Sequence, residues 1–179
     1  MIDRNPARQR ALDVVKRIEM MCDFVENPAI SKTAIAEAVP VSMPPLVGSL
    51  GFDIPLWVGL GMVGFWAALD AFADRAALSN PKCVTCGRRC MPEQFAAYTQ
   101  GNEGQCLDEI EDIRHLYAHN FAGEADDDYF QNRRRHILKQ GANVLLSCGA
   151  QFDGQRLQLG LSHLRMYSGA VQQVLERVS

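Results

Sequence analysis

The chain lacks a long apolar run, a secretory leader pattern and an excess of charge of either sign. Its main uncharged apolar stretch, Ile54 to Leu69, is shorter than the roughly 20 residues a membrane-spanning helix needs. It also contains Gly59, Gly61 and Gly64 and leads straight into Asp70, Asp74 and Arg75, so it reads as a buried core helix. Residues 1–16 are charged throughout and hold no apolar core ahead of a small-residue cleavage site. The expectation is therefore a cytoplasmic protein with no membrane association. A net charge of −3 and a pI of about 5.8 exclude a surface coated with basic charge for duplex binding, though not a local basic site. Internal repeats and low-complexity segments are absent.

What is present is apolar substance with helical spacing. Hydrophobic residues make up 47% of 179 residues, enough for one substantial core, and residues 1–179 are read as a single domain. Asn5-Pro6 opens a first helix, with Leu12, Val15, Ile18, Cys22 and Val25 along one face, and Asn27-Pro28 ends it. A short helix over 31–38 and an irregular stretch over 40–53 follow. Asp53 and Pro55 open the helix that carries the three glycines, which should reach about Leu78. Its glycines imply close approach of another helix, within the chain or from a second subunit. A short helix spans 92–99, and Gly101 to Gly104 interrupts the chain. An amphipathic helix then presents Leu107, Ile110, Ile113, Leu116, Tyr117 and Phe121, with Gly123 closing it. Its acids Asp108, Glu109, Glu111 and Asp112 suit the dipole of the first turns. A helix over about 126–139 comes next. Two strands, 143–147 and 155–159, joined through Phe152-Asp153-Gly154, form a β-hairpin within 143–160. Ser162 caps a last helix with Leu164, Tyr167, Val171, Val174 and Val178 on one face. The fold class is mainly α: a helical bundle with a small β-hairpin before the C-terminal helix.

Three patterns carry chemistry. The first is Cys83-x2-Cys86-x3-Cys90, in a cysteine-rich insertion over 83–106 where Cys106 would be the fourth ligand of a tetrahedral structural zinc. Reduced, partly buried thiols are the competing reading, and a redox pair a third. Six cysteines without a leader do not describe a disulfide framework. The second is the basic run Arg133-Arg134-Arg135-His136, which is either a solvated helix face or, through Arg133 and Arg134, the border of an RNA-binding cleft. No aromatic-rich sheet accompanies it, which disfavours an RRM-like or OB-like reader.

The third is Arg114-His115-Leu116-Tyr117-Ala118-His119 near the end of the amphipathic helix. Chance placement supplies an Arg-x4-His spacing about once in three chains of this composition, so context must decide. A looser pair, Arg156 and His163, straddles the hairpin and the last helix. The first pair has the better setting and resembles the HEPN superfamily, helical bundles whose motif is Arg, a polar residue, a few further residues and His. The resemblance rests on six to eight residues and loosely on the helical layout over 54–140. The hairpin and the cysteine loop lie outside the family's common core.

That resemblance implies a HEPN-type bundle and metal-independent RNA cleavage by a homodimer whose two motifs face one cleft. His119 would move protons at the ribose 2′-hydroxyl or the leaving 5′-oxygen. Arg114 would stabilise the charge of the phosphorane-like transition state, with His115, Asn120, Arg133 and Arg134 binding substrate. The chemistry is sound in its own right, since histidine titrates near neutrality and guanidinium forks onto phosphate. No cofactor is required, and the product would carry a 2′,3′-cyclic phosphate. Toxin or defence roles, with an antitoxin as partner, belong to the same implication. Some family members are controlled by modification of a tyrosine two residues after the histidine; this chain departs from that pattern with Phe121. Five residues place Arg114 and His119 roughly 140° apart around an ideal helix, so Arg114 curls its long side chain, the helix distorts near its end, or the pair acts across a dimer; the resemblance implies the third. The competing readings are a noncatalytic module that binds RNA, nucleotides or protein, with Arg114 paired to Glu111 or Asp108, and a zinc-stabilised interaction protein.

Overall fold

The computed structural model describes residues 5–26, 54–78, 90–119, 149–153 and 156–178. The periodic apolar segments become α1 (Asn5–Glu26), α2 (Ile54–Arg75), α3 (Met91–Phe95), α4 (Glu103–His119) and α5 (Leu161–Arg177). A 3-10 turn, Ala96–Tyr98, follows α3. An antiparallel hairpin of β1 (Gln151–Asp153) and β2 (Arg156–Gln158) precedes α5. The protein is thus mainly helical, with one small hairpin before its last helix.

One contiguous core joins these elements. α2 and α5 form the middle pair, α1 packs along one side of it and α4 along the other. The apolar faces are the ones helical spacing marks. Val15, Ile18 and Cys22 of α1, Leu107, Ile110, Ile113, Leu116 and Tyr117 of α4, and Leu164, Tyr167, Val171 and Val174 of α5 are all buried. Val58, Met62, Phe65 and Leu69 of the apolar stretch are sealed as well, and Phe72 beyond it, whereas Leu60 stays exposed. No described helix is long and apolar enough to cross a membrane.

The three glycines of α2 receive side chains from three different helices, rather than one helix backbone. A Cβ on Gly59 would lie inside the Tyr117 ring of α4. One on Gly61 would meet Leu164 of α5 at 2.5 Å, and one on Gly64 would meet Ile18 of α1 at 2.8 Å. The middle helix is therefore notched where its neighbours insert.

Several boundaries differ from the sequence expectation. α2 stops at Arg75, three residues short of Leu78, because Ala77 takes the left-handed conformation at φ 49 and Leu78 N–H donates to Ala73 O at 3.0 Å. That is a Schellman closure made without glycine, which leaves no sequence signal. The hairpin is tighter than expected. Phe152 and Asp153 belong to a strand rather than a turn; Phe152 pairs with Leu157 and Asp153 with Arg156, so only Gly154 and Gln155 connect the strands. The last helix is capped at Gly160, not Ser162: His163 Nδ1 accepts the Gly160 N–H at 2.9 Å, and His163 N–H donates to Gly160 O at 3.1 Å. The acids of α4 start earlier too. Glu103 occupies the first turn, and the 108–112 cluster lies beyond it. The expected helices over 31–38 and 126–139, the strand over 143–147 and the closure at Gly123 lie outside the described residues.

Candidate functional site

α4 supplies the motif because its buried stripe fixes its rotation. Leu107, Ile110, Ile113 and Leu116 turn inward, which leaves Arg114 half-buried at the seam with α2. There the guanidinium stacks on Trp66, 3.8 Å from the ring centroid. Its Nη1 also lies 3.1 Å from Nε2 of His115, a distance at which it donates to a neutral ring. Arg114 forms no ion pair among the described residues. The expected alternative partners, Glu111 and Asp108, are not its contacts. Glu111 Oε2 instead accepts the Met91 N–H at 3.2 Å and ties α3 to α4.

A guanidinium on an indole face is held flat and oriented while its outer N–H groups stay available. The stack contributes roughly 0.5–1 kcal/mol at such a partly exposed position. His119 is the final residue of α4. The two motif residues therefore share one helix, about 7.5 Å apart along its axis.

Comparison with protein-family models, curated proteins and solved structures finds no match. The site's geometry stands by itself.

Tyr117, one turn beyond Arg114, is a brace. Its hydroxyl donates to Leu157 O at 3.2 Å in a buried contact, fastening α4 to the hairpin. Two carboxylates of α4, Glu109 and Asp112, are buried. Glu109 Oε2 accepts the Tyr167 hydroxyl at 2.5 Å, and Gln105 Nε2 reaches its other oxygen at 3.3 Å. Glu103, also buried, receives Arg177 and the Gln100 N–H, the latter at 2.7 Å. Burial would raise the Glu103 carboxyl, but the Arg177 and Gln100 hydrogen bonds outweigh it and hold its pKa below the ordinary 4.5. Glu109 and Glu103 thereby tie α4 to α5.

The remaining sequence candidates separate. Asn120, Arg133, Arg134, Cys83 and Cys86 lie outside the described residues. Cys90 sits at the N-terminus of α3, partly exposed, and Cys106 is sealed in the core on α4. Among the described residues no three metal-ligand side chains gather. Cys22 is buried in α1, and burial raises its thiol pKa, as suits an inert core thiol. Of the looser pair, His163 is spent on capping α5. Trp66 was missed in the sequence. Its only signal was an aromatic position in a helix adjacent to the motif, and pairing it with Arg114 requires the packing of α2 on α4.

Proposed function

We propose that this chain is a metal-independent endoribonuclease of HEPN type, acting as a homodimer in a toxin or defence role in the cytoplasm. The observation that carries the reading is Arg114. Its guanidinium is oriented by Trp66 and His115, has no carboxylate partner among the described residues, and precedes the helix-terminal His119 by five residues. An arginine neutralised by an acid would be poor at phosphate; an arginine on an indole keeps its charge for a ligand. In this reading His119 takes the 2′-hydroxyl proton or protonates the leaving 5′-oxygen, and Arg114 stabilises the dianionic phosphorus centre. No cofactor takes part, and structural zinc at the cysteine loop stays a separate proposal. In the toxin form of this role an antitoxin protein is the partner we propose.

The test is incubation of the purified protein with a mixed RNA pool in EDTA, with His119→Ala alongside. Cleavage by the parent alone, with 2′,3′-cyclic phosphate ends and DNA spared, is the expected result. Equal silence from two well-folded proteins sinks it. The stack on Trp66 also favours a second reading, a noncatalytic binding module in which Arg114 is a structural brace. That reading expects Arg114→Ala to lower the melting temperature and no variant to change any cleavage.

A further inference from the structure

The outer face of the α1–α2 pair carries a continuous apolar groove. Its wider part, about 400 Å³, lies between the C-terminal half of α1 and the N-terminal half of α2. A narrower part, about 270 Å³, continues toward Ala7 and Arg75, and the two share Val14 and Gly64. From Ala7 to Cys22 the groove runs about 22 Å at 1.5 Å per residue, some four helical turns. Gly61, Gly64, Ala67, Ala68 and Ala71 keep the α2 wall low, so another helix can seat close to the backbone. Val14, Met21 and Leu60 border the groove and stand 38%, 43% and 51% exposed, which is unusual for large apolar side chains gathered in one place.

The rim decides the occupant. The charged residues lining the two parts, among those described, are Arg10, Arg17 and Arg75, and no acid lines either. All three are exposed and form no ion pair among the described residues. A second copy of the chain docked by a two-fold axis on this face would bring six arginines together with no acid among the residues lining either groove. We propose that this groove docks an acidic amphipathic helix of another protein, its apolar stripe in the groove and its carboxylates on the three arginines. The groove faces away from the motif. α1 and α4 lie on opposite sides of the α2–α5 pair, so an occupied groove leaves Arg114 and Trp66 open. The proposal does not depend on the ribonuclease reading.

The test uses fluorescence anisotropy with the whole chain and a labelled synthetic helix of about 16 residues, matched to the groove length. The probe carries leucine at every third and fourth position and glutamate on both flanks; a control peptide carries lysine in place of glutamate. The glutamate probe should bind saturably, weaken as salt rises, and lose about tenfold or more in affinity to the triple variant Arg10→Glu, Arg17→Glu, Arg75→Glu. These positions are exposed, so circular dichroism should show the variant folded. Leu60→Asp should abolish binding independently of the rim charges. No binding, or equal binding of the lysine peptide, overturns the proposal. Self-association of the chain that Leu60→Asp abolishes assigns the groove to a second copy and overturns it. Co-sedimentation with anionic phosphatidylglycerol vesicles that the triple variant loses, without peptide binding, assigns it to a lipid surface and overturns it as well.

Discussion

Arg114 rests on Trp66 with its nearest polar contact a histidine ring, and this pairing makes the side chain's shape as important as its charge. Lysine keeps the charge but has no flat face to lie on the indole and no fork for phosphate. Arg114→Lys should therefore reduce RNA cleavage about tenfold or more while leaving the protein folded, read by initial rates on a fluorogenic RNA beside a melting curve. Full activity in Arg114→Lys would contradict the oriented-fork account. Ala77 offers a second single-residue test. It holds a left-handed conformation that glycine adopts without steric cost. Ala77→Gly should stabilise the protein by about 0.5–1 kcal/mol, the relief of strain outweighing the added freedom of the unfolded chain, as read by denaturant midpoint.

At the level of elements, α2 organises the bundle by being notched. Tyr117 fills the Gly59 notch and is held there by its hydrogen bond to Leu157 O. Gly59→Ala should thus destabilise the protein by about 1–3 kcal/mol, detectable by a lower melting temperature. Tyr117→Phe keeps the ring and removes only the hydroxyl, costing about 1–2 kcal/mol by leaving a buried carbonyl unpaired. The helices were legible because burial imposes a 3.6-residue period. Val15, Ile18 and Cys22, or Leu164, Tyr167, Val171 and Val174, declare their inward face without knowledge of any partner. The glycines declared close contact but not with what. The end of α2 and the extent of β1 differ from the sequence expectation for one physical reason: one depends on a single dihedral, the other on a strand pairing, and residue types force neither. Alanine hides a left-handed closure, and an apolar Phe152 serves a strand as readily as a turn. For the site, Arg114 and its polar neighbour were legible from spacing, whereas the Trp66 platform was not, because it is a tertiary contact 48 positions away in sequence.

The whole molecule is cross-tied by acids, from the buried Glu103 to the exposed Asp23 and Glu26. Glu103 with Arg177 joins the start of α4 to the end of α5. The Glu103 carboxyl is held below its ordinary 4.5, so the stability it contributes is present in full above that value and drains away as the pH falls through the lowered folded value. Glu103→Gln should lower the denaturant midpoint at neutral pH and flatten the acid limb of the stability profile; an unchanged acid limb would assign that limb to other carboxylates. Glu19 of α1 similarly accepts Ser168 at 2.6 Å and Gln172 at 3.0 Å, and Arg165 reaches Asp23 and Glu26 at 2.7 and 2.5 Å.

These ties between α1 and α5 have a consequence for the nascent chain. Glu19 and Ser168 are separated by 149 positions, which at ribosomal rates is a delay of roughly 7–30 s between the two ends of one contact. Through that interval the face of α1 that α5 will cover, marked by Glu19, Asp23 and Glu26, stands without its partner. The bundle cannot shut until α5 has emerged from the ribosome, so the appearance of that helix, rather than of any earlier one, times the moment at which α1 finds its partner.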